Sequence, residues 1–198
     1  MNFKDWAIQQ HKDTNHMYDK YLPYEFHLRM VDSVGKEFFH LLPKNMFQGI
    51  YVTPNQNSRL FDITSLVIEN ACFGHDLIED VRVTFNNIIE ALKNNKIHIS
   101  NDNATAIAEI IRAVTNYGRG RNREERMPDF VYEDIRTTPG ATFVKLCDRI
   151  ANIRYGLLTK SSMTAKYAKE HTHFKEKLYI VEYQVMWDEL EKLLKIKK

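Results

Sequence analysis

Apolar residues along this chain recur mostly three and four positions apart, and the strict alternation that marks a half-buried strand is nowhere sustained. Glycine and proline are scarce, seven and five, so few positions force the chain to turn. The pattern predicts a nearly all-α protein folded as a compact helical bundle. A first helix is expected from Phe3 to His11, and the polar stretch KDTNHMYDKYLP leads into a second from Tyr24 to Leu42. Pro23 stands at that start, where its missing N–H costs nothing. The segment PKNMFQGIYVTPNQNSR reads as a long loop.

A third helix, Leu60 to Phe73, carries Leu60, Ile63, Leu66, Val67 and Ile68, and Gly74 directly after it permits a bend before His75. A fourth is expected from Leu77 through Lys93. NNKIHISNDNATA is a polar connector in which Asp102 or Asn103 could cap a fifth helix, Ala104 to Thr115. NYGRGRNREERMPD, the most basic and most glycine-rich stretch, leads into a sixth. In TTPGATFVKLCDRIANIRYGLL, apolar residues at 143, 144, 146, 147, 150, 151 and 153 give a helix two apolar sides, which predicts a central position. A last helix is expected from Phe174 to Leu194. Tyr179, Tyr183 and Trp187 recur on it at i, i+4 and i+8, a stripe that reads as core packing.

Composition narrows the picture only a little. With 198 residues, 43% hydrophobic and 27% charged, the chain reads as one soluble domain of ordinary globular usage. A formal charge of +2 and no long Lys/Arg run give no reason to expect duplex nucleic acid as a partner. The N-terminus, MNFKDWAIQQHKD, is charged where a signal peptide is apolar, and no apolar run is long enough to span a bilayer. A cytoplasmic protein with no membrane partner is therefore expected, its oligomeric state left open. Cys72 and Cys147, each in an apolar run, read as buried reduced thiols.

The chemistry concentrates in ACFGHDLIEDV, residues 71–81. On one continuous helix Glu79 would stack above His75 and Asp80 above Asp76, so four ionisable groups would share a side. Three carboxylates this close must take up protons or meet a cation, and a divalent metal meets that need with one ion. Imidazole with carboxylate suits Mn²⁺, Fe²⁺, Zn²⁺ or Ni²⁺ better than Ca²⁺. His75 and Asp76 supply only two ligands. The chain offers two further candidates in apolar settings, His27 in YLPYEFHLRMV and Asp148 in FVKLCDRIANI. Each has a plainer reading: Asp148 paired with Arg149 or Arg154, and His27 as a hydrogen-bonded core histidine. The remaining histidines, His11, His16, His40, His98, His171 and His173, read as surface residues.

Taken as an ordered set, PYEFH at 23–27, HDLIEDV at 75–81, the VTN and RNREER pieces within 114–126, and PGATFVKLCDRIANIR at 139–154 resemble the HD-domain metal-dependent phosphohydrolases. Within that family they are most similar to the hydrolase domain of RelA/SpoT proteins and to the small stand-alone (p)ppGpp hydrolases. The resemblance spans most of the chain and implies one HD-type domain over residues 1–198 with a central buried metal site. It implies His27, His75, Asp76 and Asp148 as ligands, Mn²⁺ as the usual ion, and Glu79 with Asp80 as the pair that orients and deprotonates the attacking water. Asn152, one turn after Asp148, would contact a nucleotide. Arg119 and Arg121, with Lys20 as a weaker choice, are the candidates for phosphate, against the plainer reading of a solvated charge cluster.

The implied activity is removal of the 3′-pyrophosphate of guanosine 3′,5′-bis(diphosphate). The same site could instead serve a deoxynucleotide, a cyclic or oligonucleotide messenger, or an NADPH-like dinucleotide. A third alternative is a nucleotide-sensing module without turnover, against which the presence of Glu79 and Asp80 weighs.

Overall fold

Every regular element in the described residues of the computed structural model, 1–47, 63–95, 99–116 and 127–196, is helical, and one antiparallel bridge, Met17 with Pro23, is the only β-type pairing there. The helices are α1 (Phe3–Asp13), α2 (Glu25–Phe38, extended by a 3₁₀ turn, Phe39–Leu41), α3 (Ile63–Gly74), α4 (Leu77–Val81) and α5 (Phe85–Lys93). They continue with α6 (Asn101–Val114), α7 (Asp129–Thr137), α8 (Ala141–Leu158), α9 (Met163–Leu178) and α10 (Gln184–Leu194). The start expected at Leu60, most of the loop before it, and residues 117–126 of the basic stretch lie outside the described residues. No helix is long and apolar enough to cross a membrane among the described residues.

The two-sided helix is central, as its pattern predicts. α8 packs against α2, α3, α6, α7, α9 and α10, and Phe143, Val144, Leu146, Ile150 and Ile153 along it are fully buried. Side chains of that size contribute roughly 1.5–3 kcal/mol each when withdrawn from water, so this one helix organises much of the core. Its entry needs a glycine: Gly140 sits at φ 83° as the N-cap of α8, a left-handed conformation that side chains resist.

Gly74 plays a different part from the one expected of it. α3 runs through this residue without a left-handed turn, and a Cβ there would come within 2.4 Å of Ile111 Cδ1 on α6. The glycine is required by close approach of two helices and not by a bend.

Three elements depart from the periodicity. The helix expected from Leu77 to Lys93 is two, because Arg82 adopts φ 59° and the Val83 N–H donates back to the Leu77 carbonyl at 3.1 Å. Thr84 then restarts the chain with a capping box against Asn87. The helix expected from Phe174 to Leu194 is also two, broken where Tyr179 and Ile180 turn extended. At that break Tyr179 is 44% exposed, its ring centre still 6.3 Å from that of Trp187, while Tyr183 and Trp187 are buried. The cap of α6 is Ser100, whose hydroxyl accepts from the Asn103 N–H, rather than Asp102 or Asn103.

Candidate metal centre

Three separate segments deliver the four candidate ligands to one point. His27 comes from the first turns of α2, His75 and Asp76 from the two-residue turn between α3 and α4, and Asp148 from the middle of α8. His27 Nε2 lies 3.2 Å from His75 Nε2 and 3.3 Å from Asp148 Oδ1. Asp76 Oδ2 is 2.8 Å from His75 Nε2 and 3.5 Å from His27 Nε2. Donor atoms of His27, His75 and Asp148 all fall within 4.8 Å of one another, a spacing at which one ion could bridge them. Both imidazoles are almost fully buried, at 1% and 3% side-chain exposure, whereas Asp76 and Asp148 keep 17% and 15%. The opening is therefore on the carboxylate side.

The donor set fits a divalent cation by its own chemistry. His75 Nδ1 stands 2.8 Å from the Cys72 carbonyl, so it carries a proton and donates, and Nε2 is the ring atom turned to the cluster. Burial alone pushes the carboxyls of Asp76 and Asp148 up, but the imidazoles facing them outweigh it and hold both well below the ordinary carboxylate range. The same attraction outweighs burial at His27 and His75 and raises both imidazoles. The cluster thus balances its negative charge with imidazole protons, and a cation seated among the same atoms answers the same demand.

The plainer reading of Asp148 fails on geometry. Arg149, its neighbour, turns to the other side of α8, where its Nη2 donates to the Tyr167 carbonyl at 3.1 Å and its guanidinium lies 4.0 Å from the Phe174 ring centre. Arg154 pairs instead with Glu37 and Glu189. Asp148 meets His27, His75 and the amide of Asn152.

The expected stacking of Glu79 over His75 on one helix does not occur, because His75 and Asp76 precede α4 and Asp76 is only its cap. Glu79 accepts from both the backbone N–H of Asn116, at 3.1 Å, and its side-chain amide, at 3.0 Å. Asp80 stays close to the ligand turn: its N–H donates to the Asp76 carbonyl at 2.9 Å, and its Oδ2 is 3.9 Å from His16 Nδ1. Burial, and then the negative charge of Asp76, push the Asp80 carboxyl up to about 7.

Asn152 is engaged within the protein: its amide nitrogen donates to Asp148 and its oxygen accepts from the Tyr18 hydroxyl at 2.9 Å. Lys20 is exposed on the loop before α2, its ammonium 5.2 Å from the Tyr21 ring centre. Arg119 and Arg121 lie outside the described residues.

Sequence reasoning missed a ring of residues behind the ligands. The Tyr24 hydroxyl donates to Asp76 Oδ2, and the rings of His11 and His16 lie nearly parallel to it at 4.4 and 4.0 Å, with their Nδ1 atoms 2.9 Å apart. His11 is buried, as is His171, and His16 is half-buried, so none of the three is the surface residue its polarity suggested. His40 and His173 are exposed, and His98 lies outside the described residues. For His11 a signal existed: it continues the buried face of Phe3, Ala7 and Ile8 at helical spacing. No protein-family model, no curated protein and no solved structure matches this chain.

Proposed function

We propose that this protein is a metal-dependent phosphohydrolase acting on a phosphorylated nucleotide, guanosine 3′,5′-bis(diphosphate) being the substrate its motifs favour. The observation that carries the reading is the convergence of His27, His75, Asp76 and Asp148 at one partly open point, in the order and setting in which the sequence motifs present them. In this reading those four residues hold a divalent ion, Mn²⁺ by resemblance, which when bound makes water acidic enough to ionise near neutral pH and withdraws charge from a phosphoryl oxygen.

The chain's own groups supply the rest. Asp80, whose N–H donates to the Asp76 carbonyl beside the ligand turn, is the carboxylate suited to take a proton from water and to return one to a leaving oxygen. Glu79, held at both oxygens by Asn116, fixes the start of the acidic helix and orients the water from a set position. Oxygen from water bonds to the phosphorus of the 3′-ester, the bond from phosphorus to the 3′-oxygen breaks, and pyrophosphate and GDP leave. Arg119, Arg121, Lys20 and Asn152 are the candidates for holding the remaining phosphates and the nucleoside.

The test is a panel of phosphorylated nucleotides incubated with the protein and Mn²⁺, with phosphate and pyrophosphate release read separately. Pyrophosphate from guanosine 3′,5′-bis(diphosphate), abolished by a chelator, is the expected result. Release from a deoxynucleotide or dinucleotide alone would move the substrate within the same chemistry. Binding of nucleotide without any turnover, Mn²⁺ present, would overturn the enzymatic reading in favour of a sensor.

A further inference from the structure

The two ligand histidines are held in different ways. His75 is fixed by the hydrogen bond from its Nδ1 to the Cys72 carbonyl, the usual means of setting a ligand imidazole. Buried His27 has no such partner for its Nδ1 among the described residues. What meets His27 is a ring: Tyr18 lies flat against it, centroids 4.7 Å apart and planes inclined by 13°. The same tyrosine donates its hydroxyl to Asn152 Oδ1 at 2.9 Å, and Asn152 in turn donates to Asp148.

Tyr18 is itself held firmly. Its backbone N–H donates to the Leu22 carbonyl at 2.9 Å, and the N–H groups of Tyr21 and Leu22 both donate to Asp19 Oδ1, at 2.7 and 2.8 Å. The other Asp19 oxygen accepts from the hydroxyl of Tyr155 on α8, and Met17 bridges to Pro23. The loop between α1 and α2 is thereby tied to the helix that carries Asp148.

We propose that Tyr18 is the positioning residue of the metal centre, its ring setting the plane of His27 and its hydroxyl, through Asn152, setting the carboxylate of Asp148. The inference rests on the metal-site reading above. One side chain acts on two ligands that come from helices far apart in sequence, so its removal loosens both at once. Phe at this position keeps the ring and loses only the branch through Asn152; Ala loses both.

Titration of the metal-free full chain with Mn²⁺ by calorimetry tests this, with thermal unfolding of each metal-free variant measured beside it. Wild type is expected to bind one equivalent and His27→Ala to bind none; uptake that is absent in the first or unchanged in the second overturns the metal-site reading, and this proposal with it. Given that binding, Tyr18→Ala is expected to weaken affinity about 10–100-fold, the range typical of groups that orient ligands, and Tyr18→Phe by a smaller factor, no larger than that of Asn152→Ala. The double variant Tyr18→Phe/Asn152→Ala should bind no more weakly than Asn152→Ala alone, because the hydroxyl acts only through that amide. Tyr18→Phe should lower the metal-free unfolding temperature no more than Asn152→Ala does, since both give up the same hydrogen bond. Wild-type affinity in Tyr18→Phe, or factors that multiply in the double variant, overturns the proposal, and the Phe variant keeps it testable if Ala fails to fold.

Discussion

Asp148 and Arg149 are neighbours on α8, both withdrawn from water, and they resolve their charge in opposite ways. Arg149 faces the α9 side, where a carbonyl, two aromatic rings and Glu170 at 3.8 Å surround a guanidinium that is 2% exposed. Everything that compensates it is covalently part of the chain. Asp148 faces α2 and the α3–α4 turn, where the groups it meets are imidazoles and, beyond them, a second carboxylate. On that side the chain supplies donor atoms in excess and compensating charge only by protonating them. One face of the helix meets its charge with packing partners, while the other gathers donor atoms at a spacing that could hold a metal ion. An excess of donor atoms around a buried charge is what a metal site requires and a packing ion pair does not.

The sharpest way to break the contrast is Asp148→Ala. It removes a ligand oxygen itself, so Mn²⁺ affinity should fall by more than the roughly 10–100-fold that outer groups cost, and turnover should vanish with it. Calorimetric binding indistinguishable from wild type would show that the cluster holds no ion. Next in size, Glu79→Gln should leave Mn²⁺ affinity within about twofold and lower the rate roughly 100-fold or more, if the carboxylate serves the water rather than the ion. Full activity in that variant would remove Glu79 from the mechanism and leave Asp80 alone in it.

On the opposite face the effect should be on stability alone. Arg149→Met deletes a hydrogen bond and two ring contacts while keeping much of the volume, and should cost about 1–3 kcal/mol in urea unfolding with Mn²⁺ affinity unchanged. A loss of metal with no loss of stability would mean that the two faces are not independent.

The last effect concerns His11, behind the centre, and is spread over pH. Burial pushes its pKa down to about 3, against the pull of Asp76, so the folded protein keeps it neutral. The unfolded chain takes up a proton near pH 6.5 that the folded one refuses, and the contribution is therefore fully present above about pH 6.5 and lost as pH falls toward 3. Metal-free protein should lose up to about 1.4 kcal/mol per pH unit from this residue within that window. Urea unfolding between about pH 4 and 7 measures the slope, which His11→Gln should flatten; an identical slope in the variant would mean that other groups set it.

Much of the fold was legible because the dominant signal is local. Helical spacing of apolar residues placed α1, α2, α6 and α8 to within a few residues, and the two apolar sides of α8 marked it as central. The breaks were harder, each for its own reason. Between Thr84 and Asn87 a capping box was there to be read, but a long periodic run outweighed it. Between Met163 and Lys198 there is no glycine or proline at all. Nothing local marks the point where Tyr179 and Ile180 turn extended. Gly74 could be seen as special from sequence, but not why: the reason is an isoleucine thirty-seven positions later in the chain.

The same division runs through the candidate site. Sequence by itself determined which residue types were out of place: two imidazoles and two carboxylates set among apolar neighbours, where an isolated charge is costly to bury. Such misfits are visible one residue at a time, which is why His27, His75, Asp76 and Asp148 could be named. What only the tertiary structure decided is which of them meet, that Arg149 turns away from Asp148, and that Tyr18, Tyr24, His11 and His16 close in behind. Apart from His11, which continues an apolar face, those residues carry no misfit of their own. An aromatic ring or a histidine near a helix end suits surface and core alike, and its role exists only once α1, α2 and α8 bring it against a ligand.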